Sequence, residues 1–253
     1  MKRIITALIG VPAVIAVTKY SPHWLFALII AAFAGICFNE LMALSAAKTG
    51  LRPGAWTALA GGAVTASFVG DAVWVLTVLA AVFVFCFVAM IFDGPLETML
   101  SSLNSTAMGL IYCGVLLGFL VWLKSDVVLT VLGVVWVGDS AAYFGGRAVG
   151  RHKLAPEISP NKTVEGSVAG LMGSVAAGIA MGTWLLGMSA GFMAVVSLAA
   201  GIAGQVGDLA ESALKRSAGV KDSSTLLPGH GGMLDRLDSL MFAAPVFYWF
   251  FRT

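Results

Sequence analysis

The stretch that decides the fold is an uncharged run at residues 73–92, which reads VWVLTVLAAVFVFCFVAMIF. A helix needs about 20 predominantly apolar residues to cross a bilayer, and this run has that length. The whole chain shares its character, because 59% of its 253 residues are hydrophobic and only 11% are charged. A soluble domain carries about 25% charged residues, so this chain has too few to cover a water-exposed surface. The composition therefore predicts an all-α, polytopic integral membrane protein and excludes a disordered chain, a coiled coil and an ordinary soluble enzyme.

Working outward from that run, nine apolar stretches are predicted to span the membrane. The first, third, eighth and ninth are short, and we expect each to extend a few residues beyond its limits. The first has no convincing cleavage site, so we interpret it as a retained helix rather than a signal peptide. The predicted spans are Ile4–Thr18, Trp24–Leu44, Trp56–Val69, Val73–Phe92, Thr106–Leu123, Val127–Phe144, Ser167–Leu186, Phe192–Val206 and Leu237–Phe251.

The distribution of Lys and Arg predicts the orientation of these spans, since such residues favour cytoplasmic segments. With nine spans and a cytoplasmic N-terminus, twelve of them lie inside and three lie outside, namely Lys19, Lys124 and Arg252. The C-terminus is then expected outside, and the protein is expected in the inner (cytoplasmic) membrane of the cell. The net charge of +2, without a basic run, gives no indication of nucleic-acid binding.

The chain is predicted to form a single membrane domain over residues 1–253 with two unequal halves. Residues 1–138 form hydrophobic helices, whereas residues 139–253 hold eight of the 13 acidic residues. Polar groups at membrane depth are costly and usually functional. We therefore expect the catalytic helices and loops in the second half, with the active site facing the cytoplasm.

Glycine is abundant, with 30 residues, and several glycines lie in or beside the seventh predicted span. Small residues at near-helical spacing allow two helix backbones to approach closely. We therefore predict close packing of this helix through Gly166, Gly170, Gly173 and Gly178.

The first polar segment of the second half centres on Asp139, which lies several residues before the end of an apolar helix. Tyr143 and Arg147 follow at i+4 and i+8, on roughly the same helical face. A carboxylate at this depth needs a cation, because burying it alone is costly. Two interpretations stay open: a structural Asp139–Arg147 pair, or a ligand for a metal ion or a substrate.

The second segment is the loop at residues 150–166, GRHKLAPEISPNKTVEG. It places basic and hydroxyl groups, among them Ser159 and Lys162, just before a helix N-terminus. Such an end presents free N–H groups and favours anions, which predicts phosphate binding. The loop lacks the glycine scaffold of a Walker A motif. Positive charge typical of cytoplasmic segments, or attraction to lipid headgroups, remains the alternative explanation.

The third segment extends the eighth span. If the helix continues, Asp208, Glu211, Ser212 and Lys215 fall at i, i+3, i+4 and i+7 and share one face. The alternative is a merely solvated helix end, but Asp208 follows directly on an apolar span.

The fourth segment begins with Lys221 and Asp222 and continues at residues 227–239 as LPGHGGMLDRLDS. Asp235 and Asp238 are spaced i, i+3, and the glycines allow the backbone to approach a phosphate. Oxygen ligands without clustered His or Cys favour Mg²⁺ over Zn²⁺. We interpret His230 as a structural or hydrogen-bonding residue rather than a general base. Together the four segments predict Mg²⁺-dependent phosphate chemistry at the cytoplasmic membrane face.

A continuous signature runs through the third and fourth segments and resembles that of the CDP-diacylglycerol synthase (phosphatidate cytidylyltransferase) family. The segments around Asp139 and Lys162 are similar to other parts of that family. The resemblance covers about the last 115 residues, and the first half matches only as several hydrophobic helices. The residues that carry the signature are Ser212, Leu214, Lys215, Arg216, Lys221, Asp222, Ser224, Leu227, Pro228, His230, Gly231, Gly232, Met233, Asp235, Arg236, Leu237 and Asp238.

The resemblance implies a homodimeric, all-helical enzyme that transfers CMP from CTP to phosphatidate. It implies Asp208 and Asp235 as principal metal ligands, supported by Asp238, Asp222 and Asp139. Asp208, Asp235, Asp238 and Lys215 are the expected catalytic residues, and the cofactor is Mg²⁺, as one or two ions or with a monovalent ion at a second site. The expected substrate-binding residues are Lys162, Ser159, Ser212, Arg216, Lys221, His230, Arg236 and Arg147.

Three other functions compete with this interpretation. A CTP-dependent lipid-alcohol kinase shares weaker motif fragments and would release CDP rather than pyrophosphate. An ion transporter could use intramembrane acids, although the chain shows no repeat. A structural membrane scaffold would tolerate neutral replacements of the acids.

Overall fold

The computed structural model describes residues 2–50, 53–93, 95–226 and 231–252. The first part of the chain forms four helices, of which α3 continues as a 3₁₀ turn at Ser67–Val69. Left-handed Gly50 (φ 70°) ends α2, and its N–H donates to the carbonyl oxygen of Ala46. These helices are α1 (Lys2–Tyr20), α2 (His23–Thr49), α3 (Ala55–Ala66) and α4 (Ala72–Asp93).

A longer helical stretch follows, beginning with a 3₁₀ turn at Leu96–Thr98. It runs through α5 (Met99–Gly109), a π-helical segment at Leu110–Val115, and α6 (Leu116–Trp122). The remaining helices are α7 (Ser125–Val149), α8 (Val164–Leu186), α9 (Ala190–Ser217) and α10 (Leu234–Phe251).

Between α7 and α8 lies a short antiparallel hairpin of β1 (Lys153–Ala155) and β2 (Ser159–Thr163). The sequence indicates only a loop here, because three- and five-residue strands carry no periodic signal. Lys153 pairs with Thr163 and Ala155 with Ser159. This hairpin is an addition to the all-α architecture that the composition predicts.

The helical membrane architecture is confirmed, whereas the count of nine spans is not. Every predicted apolar stretch lies in a helical segment, but within the described ranges six helices are both long and apolar enough to cross a membrane. Helix α3 with its 3₁₀ turn covers Ala55–Val69, about 24 Å at standard helical rises. The six candidate spans are His23–Ala46, Ala72–Phe92, Leu96–Trp122, Ser125–Val149, Val164–Leu186 and Ala190–Ser217.

Helix α4 shows most directly that lipid covers this surface. Its apolar side chains Leu76, Phe85 and Phe92 are 64%, 67% and 81% exposed. Apolar area of this extent suits contact with acyl chains and not with water.

The chain forms two compact units, and one consists of residues 1–122 with 217–236. Within it, α2 packs closely on α3. The buried Phe38 side chain fits because Gly61 and Gly109 lack side chains: a Cβ on Gly61 would lie 2.6 Å from the Cβ of Phe38, and one on Gly109 would lie 2.2 Å from its ring.

The other unit consists of residues 123–216 with 237–253. Helices α7 and α8 pack along their length through small residues, as the glycine spacing predicts. A Cβ on Gly173 would lie 2.6 Å from the Cβ of Ala141, and one on Gly170 would lie 2.9 Å from that of Ala142. Ser174 adds a hydrogen bond from its hydroxyl to the carbonyl oxygen of Val134, at 3.0 Å.

Candidate functional site

An ion pair lies at the centre of the candidate site in the second unit. The ammonium of Lys162, in β2, is 2.6 Å from Oδ2 of Asp208, in α9. The two side chains are 26% and 35% exposed. A pair this accessible contributes only about 0–1 kcal/mol to stability.

Two further acids surround this pair. Asp139, in α7, and Asp238, in α10, both lie within electrostatic range of Asp208 and of Lys162. Asp238 is buried, and its Oδ1 accepts the N–H of Ser239 at 2.7 Å. Three carboxylates therefore oppose one ammonium in this cluster, which favours an added cation.

Helices α9 and α10 approach closely at this cluster. A Cβ on Gly207, next to Asp208, would lie 2.5 Å from the backbone oxygen of Asp238 and 2.9 Å from the Phe242 ring. Glycine is thus the residue that lets the two acid-bearing helices meet.

The hairpin positions Lys162 at the start of α8. Thr163 caps this helix, because its hydroxyl accepts the N–H of Gly166 at 3.1 Å. Glu165 holds the chain just before the hairpin: its Oε2 accepts the backbone N–H groups of Arg151 at 3.0 Å and His152 at 3.2 Å. The His152 ring nitrogen Nδ1 also contacts Glu165 Oε1 at 2.6 Å.

Helices α8 and α9 are joined by a reciprocal pair of hydrogen bonds near the site. The Ser167 hydroxyl donates to Oε1 of Gln205, and the Gln205 amide donates to the backbone oxygen of Ser167 at 2.9 Å. Gln205 lies three residues before Asp208 on α9. These two hydrogen bonds therefore fix the position of Asp208 along α9 relative to α8. Neither Ser167 nor Gln205 is indicated by the sequence pattern, since an amide or a hydroxyl on an apolar helix carries no charge that would mark it.

The basic residues at the end of α9 have partners within the same unit. Lys215 forms an ion pair of 2.5 Å with the buried Glu211, at i, i+4. Arg216 donates from Nε to the backbone oxygen of Ile158 in the hairpin turn, at 3.2 Å. Ser212, on the same helix as both, is only part-exposed.

Of three further predicted residues, two form no ion pair or hydrogen bond with this cluster within the described part of the chain, and one lies outside that part. Arg147 is exposed in the last turn of α7, and no ion pair joins it to Asp139 in the described structure. Ser159 opens β2. His230 falls on residues 227–230, outside the described part of the chain.

Residues 221–226 and 231–236 of the fourth segment lie in the first unit, where two carboxylates organise them. Oδ2 of Asp235 accepts the N–H groups of Ser223 at 3.0 Å and Gly232 at 2.7 Å, and the Ser223 hydroxyl at 2.8 Å. The second carboxylate is Glu40, from the middle of α2, which contacts both ends of the segment. Lys221, Asp222 and Arg236 are exposed.

Glu40 is the residue that sequence reasoning missed most clearly. A lone acid inside an apolar span was the available signal, since such groups are costly without a partner. Nothing local to α2 identified that partner.

The donor chemistry of these residues fits a hard divalent cation, because all the candidate ligands are carboxylates. Within residues 2–50, 53–93, 95–226 and 231–252, however, no group of three or more His, Cys, Asp or Glu side chains is close enough to hold a metal ion. The described residues thus include suitable carboxylate ligands but not a complete coordination site, and Asp208 is paired with Lys162.

Fold and site define a multi-pass α-helical membrane protein with an acid- and lysine-lined site suited to phosphate groups and cations. The chain belongs to the cytidylyltransferase family, whose family model matches residues 1–253. Membership of this family is consistent with a divalent metal cofactor.

Individual relatives agree with this assignment. A protein of Brucella suis biovar 1 (strain 1330) named phosphatidate cytidylyltransferase is 44% identical over 150 residues, covering 57% of this chain and 56% of that protein. A protein of the same name from Staphylococcus haemolyticus (strain JCSC1435) is 49% identical over 114 residues, covering 45% and 44%. The chain thus spans about half the length of the relatives it matches.

Proposed function

We propose that this chain is a phosphatidate cytidylyltransferase, which transfers CMP from CTP to phosphatidate and forms CDP-diacylglycerol and pyrophosphate for phospholipid biosynthesis. Family membership and the names of the relatives support the proposal. The observation that carries it is the 2.6 Å Lys162–Asp208 pair with Asp139 and Asp238 around it. A site that must hold a triphosphate together with its counter-charges needs this combination of groups.

The proposed reaction joins two anions. A phosphatidate oxygen forms a bond to the α-phosphorus of CTP, while the bond from that phosphorus to the oxygen bridging the β-phosphate breaks. Pyrophosphate leaves with the electron pair of the broken bond. A phosphate monoester has a second pKa near 6, so about neutral pH the nucleophile is mostly dianionic and needs no strong general base. The protein must therefore supply alignment and cancellation of negative charge.

Basic side chains are the proposed source of part of that charge cancellation. Lys162 is the first candidate, since its ammonium extends from the hairpin to Asp208 and would exchange that carboxylate for a phosphate oxygen. Lys215 can act through its ammonium at the cytoplasmic end of α9. The remaining proposed contacts to CTP and the phosphatidate headgroup are Ser159, Ser212, Arg216, Lys221, His230, Arg236 and Arg147.

The proposed cofactor is Mg²⁺, as one or two ions, with a monovalent ion at a second site as the alternative. Asp139, Asp208 and Asp238 are the candidate ligands of one unit, and Asp222 and Asp235 those of the other. When bound, the ion neutralises charge on phosphate oxygens of the nucleotide and the leaving group. The carboxylates hold it and thereby orient those oxygens.

The proposed topology places this chemistry where both substrates are available. Nine spans with a cytoplasmic N-terminus put the polar segments 139–166 and 207–238 on the cytoplasmic side of the inner membrane, and the C-terminus outside. The twelve-to-three bias of Lys and Arg supports this arrangement. CTP is then met from the cytoplasm and phosphatidate from the bilayer interface. A single membrane domain over residues 1–253 that assembles as a homodimer completes the proposal.

The first test is an assay of purified protein with CTP, phosphatidate and Mg²⁺, in which pyrophosphate and lipid-linked CMP are both quantified. Equal amounts of the two products, lost on addition of EDTA, are expected. Formation of CDP and a phosphorylated lipid, when lipid alcohols are offered instead, would identify a kinase. Ion flux without nucleotide turnover would identify a transporter.

A further inference from the structure

Glu40 is a carboxylate buried in an apolar helix that no part of the proposed reaction uses. It lies within the candidate span His23–Ala46 and is only 6% exposed. A carboxylate in such a place persists only when hydrogen bonds or a cation compensate its lost hydration. Its partners therefore indicate why it is there.

Four donors converge on this carboxylate, and all come from residues 223–234. Oε1 accepts the hydroxyl of Ser224 at 2.5 Å and the N–H of Met233 at 3.0 Å. Oε2 accepts the N–H of Leu234 at 2.8 Å and lies 3.1 Å from the hydroxyl of Ser223, whose one proton it shares with Oδ2 of Asp235. Hydrogen bonds to a charged group are the strong class, so Glu40 joins the two ends of this segment.

The contact also fixes where α10 begins. The N–H groups at a helix start lack partners within the helix and favour a negative charge. Glu40 accepts the N–H of Leu234, the first residue of α10, and that of Met233 just before it. The next residue is Asp235, whose Oδ2 accepts Ser223 and Gly232. Glu40 and Asp235 thus both contact this segment, with the Ser223 hydroxyl within hydrogen-bond distance of each.

The space between these groups excludes a side chain. A Cβ on Gly232 would lie 2.6 Å from Oε2 of Glu40 and 2.0 Å from the Ser223 hydroxyl. The backbone of the segment therefore approaches the carboxylate as closely as glycine permits.

We propose that Glu40 is a positioning residue for the reaction: its carboxylate holds Ser223 and Ser224 together with Met233 and Leu234, and so presents Asp235 and the neighbouring basic residues to CTP. The inference rests on the proposed function for the identity of the substrate. Its structural part, the anchoring of this segment by α2, rests on the four hydrogen bonds alone.

The diagnostic substitution is Glu40→Gln. Each oxygen of Glu40 accepts one backbone N–H, and backbone donors cannot reverse their role as hydroxyls can. Either orientation of a glutamine amide therefore directs its NH₂ group at an N–H group. The variant keeps the size of the side chain and loses the anchoring.

Hydrogen exchange of the backbone amides at residues 231–236 in the purified full-length protein gives a readout independent of activity. We expect exchange in Glu40→Gln to be at least about tenfold faster there, and unchanged in the rest of α2. The matched control is Glu97→Gln, an exposed acid in the same unit. Wild-type exchange at residues 231–236 in the Glu40 variant would overturn the anchoring.

Steady-state kinetics then separates positioning from a loss of folded protein. Misfolding lowers the number of active sites and so lowers kcat with KM unchanged, whereas a displaced segment raises KM for CTP. We expect KM for CTP to rise about tenfold or more in Glu40→Gln. A fall in kcat alone would contradict the proposal. If wild-type protein shows no CMP transfer, the proposed function fails, and the exchange measurement still decides whether Glu40 holds the segment.

A milder variant covers the case in which Glu40→Gln does not fold. Ser224→Ala removes one hydroxyl donor and leaves the carboxylate in place. We expect several-fold faster exchange at residues 231–236 and a smaller rise in KM for CTP. An unchanged value of both in this variant would count against Glu40 as a positioning residue.

Discussion

At the residue scale, the candidate site is built from few direct contacts between charged groups. Lys162 and Asp208 meet at 2.6 Å, and Asp139 and Asp238 lie within electrostatic range of both. Asp235, expected as a principal metal ligand, has three hydrogen bonds to Oδ2 that shape its own segment. Its role as a ligand stays a prediction, and its contribution to local conformation is an addition from the structure.

The residue-scale prediction concerns Asp208 and Lys162. Asp208→Asn removes the charge of the proposed ligand without changing its size, so we expect kcat to fall on the order of 10²–10³-fold. Lys162→Met should reduce kcat/KM for CTP by a similar order, since it removes a phosphate partner. Both variants should unfold within about 1 kcal/mol of wild type, because the pair is accessible to solvent.

Pyrophosphate release and thermal unfolding in detergent measure the two effects. Asp126→Asn, an acid in the first turn of α7 outside the cluster, is the matched control and should remain active. Full activity of Asp208→Asn would remove this carboxylate from the mechanism. A large loss of stability in both variants would instead assign the pair to the fold.

At the element scale, the site depends on how closely small residues let helices pack. Gly170 and Gly173 bring α8 against α7, and Gly207 brings α10 against α9 beside Asp208. Strand β2 of the hairpin carries Lys162. Its last residue, Thr163, caps the N-terminus of α8. Each acid or base of the cluster therefore belongs to a different element, held in place by glycine contacts.

The element-scale prediction compares two glycine-to-alanine changes in helices. In Gly173→Ala the new Cβ would lie 2.6 Å from the Cβ of Ala141, so we expect destabilisation of about 1–3 kcal/mol. In Gly191→Ala nothing lies within 4 Å, and higher helix propensity should leave stability unchanged or raised. Thermal unfolding in the same detergent measures the difference. Equal stability of the two variants would show that α7 and α8 are not closely packed at Gly173.

At the scale of the whole molecule, the number of membrane crossings depends on the helices that are shorter or less apolar than the six candidate spans. Six helices have the length and apolar character of spans within the described ranges, and α3 with its 3₁₀ turn covers only Ala55–Val69. About 24 Å is short of a 30 Å hydrocarbon core, although bilayers thin locally around short segments. Helix α10 carries Asp235, Arg236 and Asp238 in its first turns, which lowers its apolar content.

The molecule-scale prediction is that α3 crosses the membrane. Lys48 and Asp71 are exposed on either side of it, so Lys48→Cys should react with a membrane-impermeant maleimide only from the cytoplasmic side, and Asp71→Cys only from the outside. Glu157→Cys and Ser189→Cys, exposed before and after α8, should be labelled from the inside and the outside respectively if the nine-span topology holds. The native Cys37, Cys86 and Cys113 are buried and give little background. Labelling of Lys48→Cys and Asp71→Cys from the same side would contradict the nine-span topology.

Properties that depend only on neighbouring residues, such as helix formation and the spacing of side chains on a helix, could be predicted from the amino-acid pattern. The run at residues 73–92 is long and apolar enough to be a helix in a membrane whatever surrounds it, and α4 covers Ala72–Asp93. The spacing of Asp208, Ser212 and Lys215 likewise needed only a continuing helix, and α9 extends to Ser217. The order of acidic and basic groups in the fourth segment was enough to indicate the family.

Which polar groups form hydrogen bonds with each other depends on the tertiary packing of the helices. Glu40 contacts Leu234 across 194 residues, and Gln205 contacts Ser167 across 38. A sequence shows that a buried acid or amide must have a partner, because leaving it without one is costly, but many donors along the chain would serve equally well. The choice among them depends on how helices pack, which glycine contacts between distant segments control and no local pattern encodes.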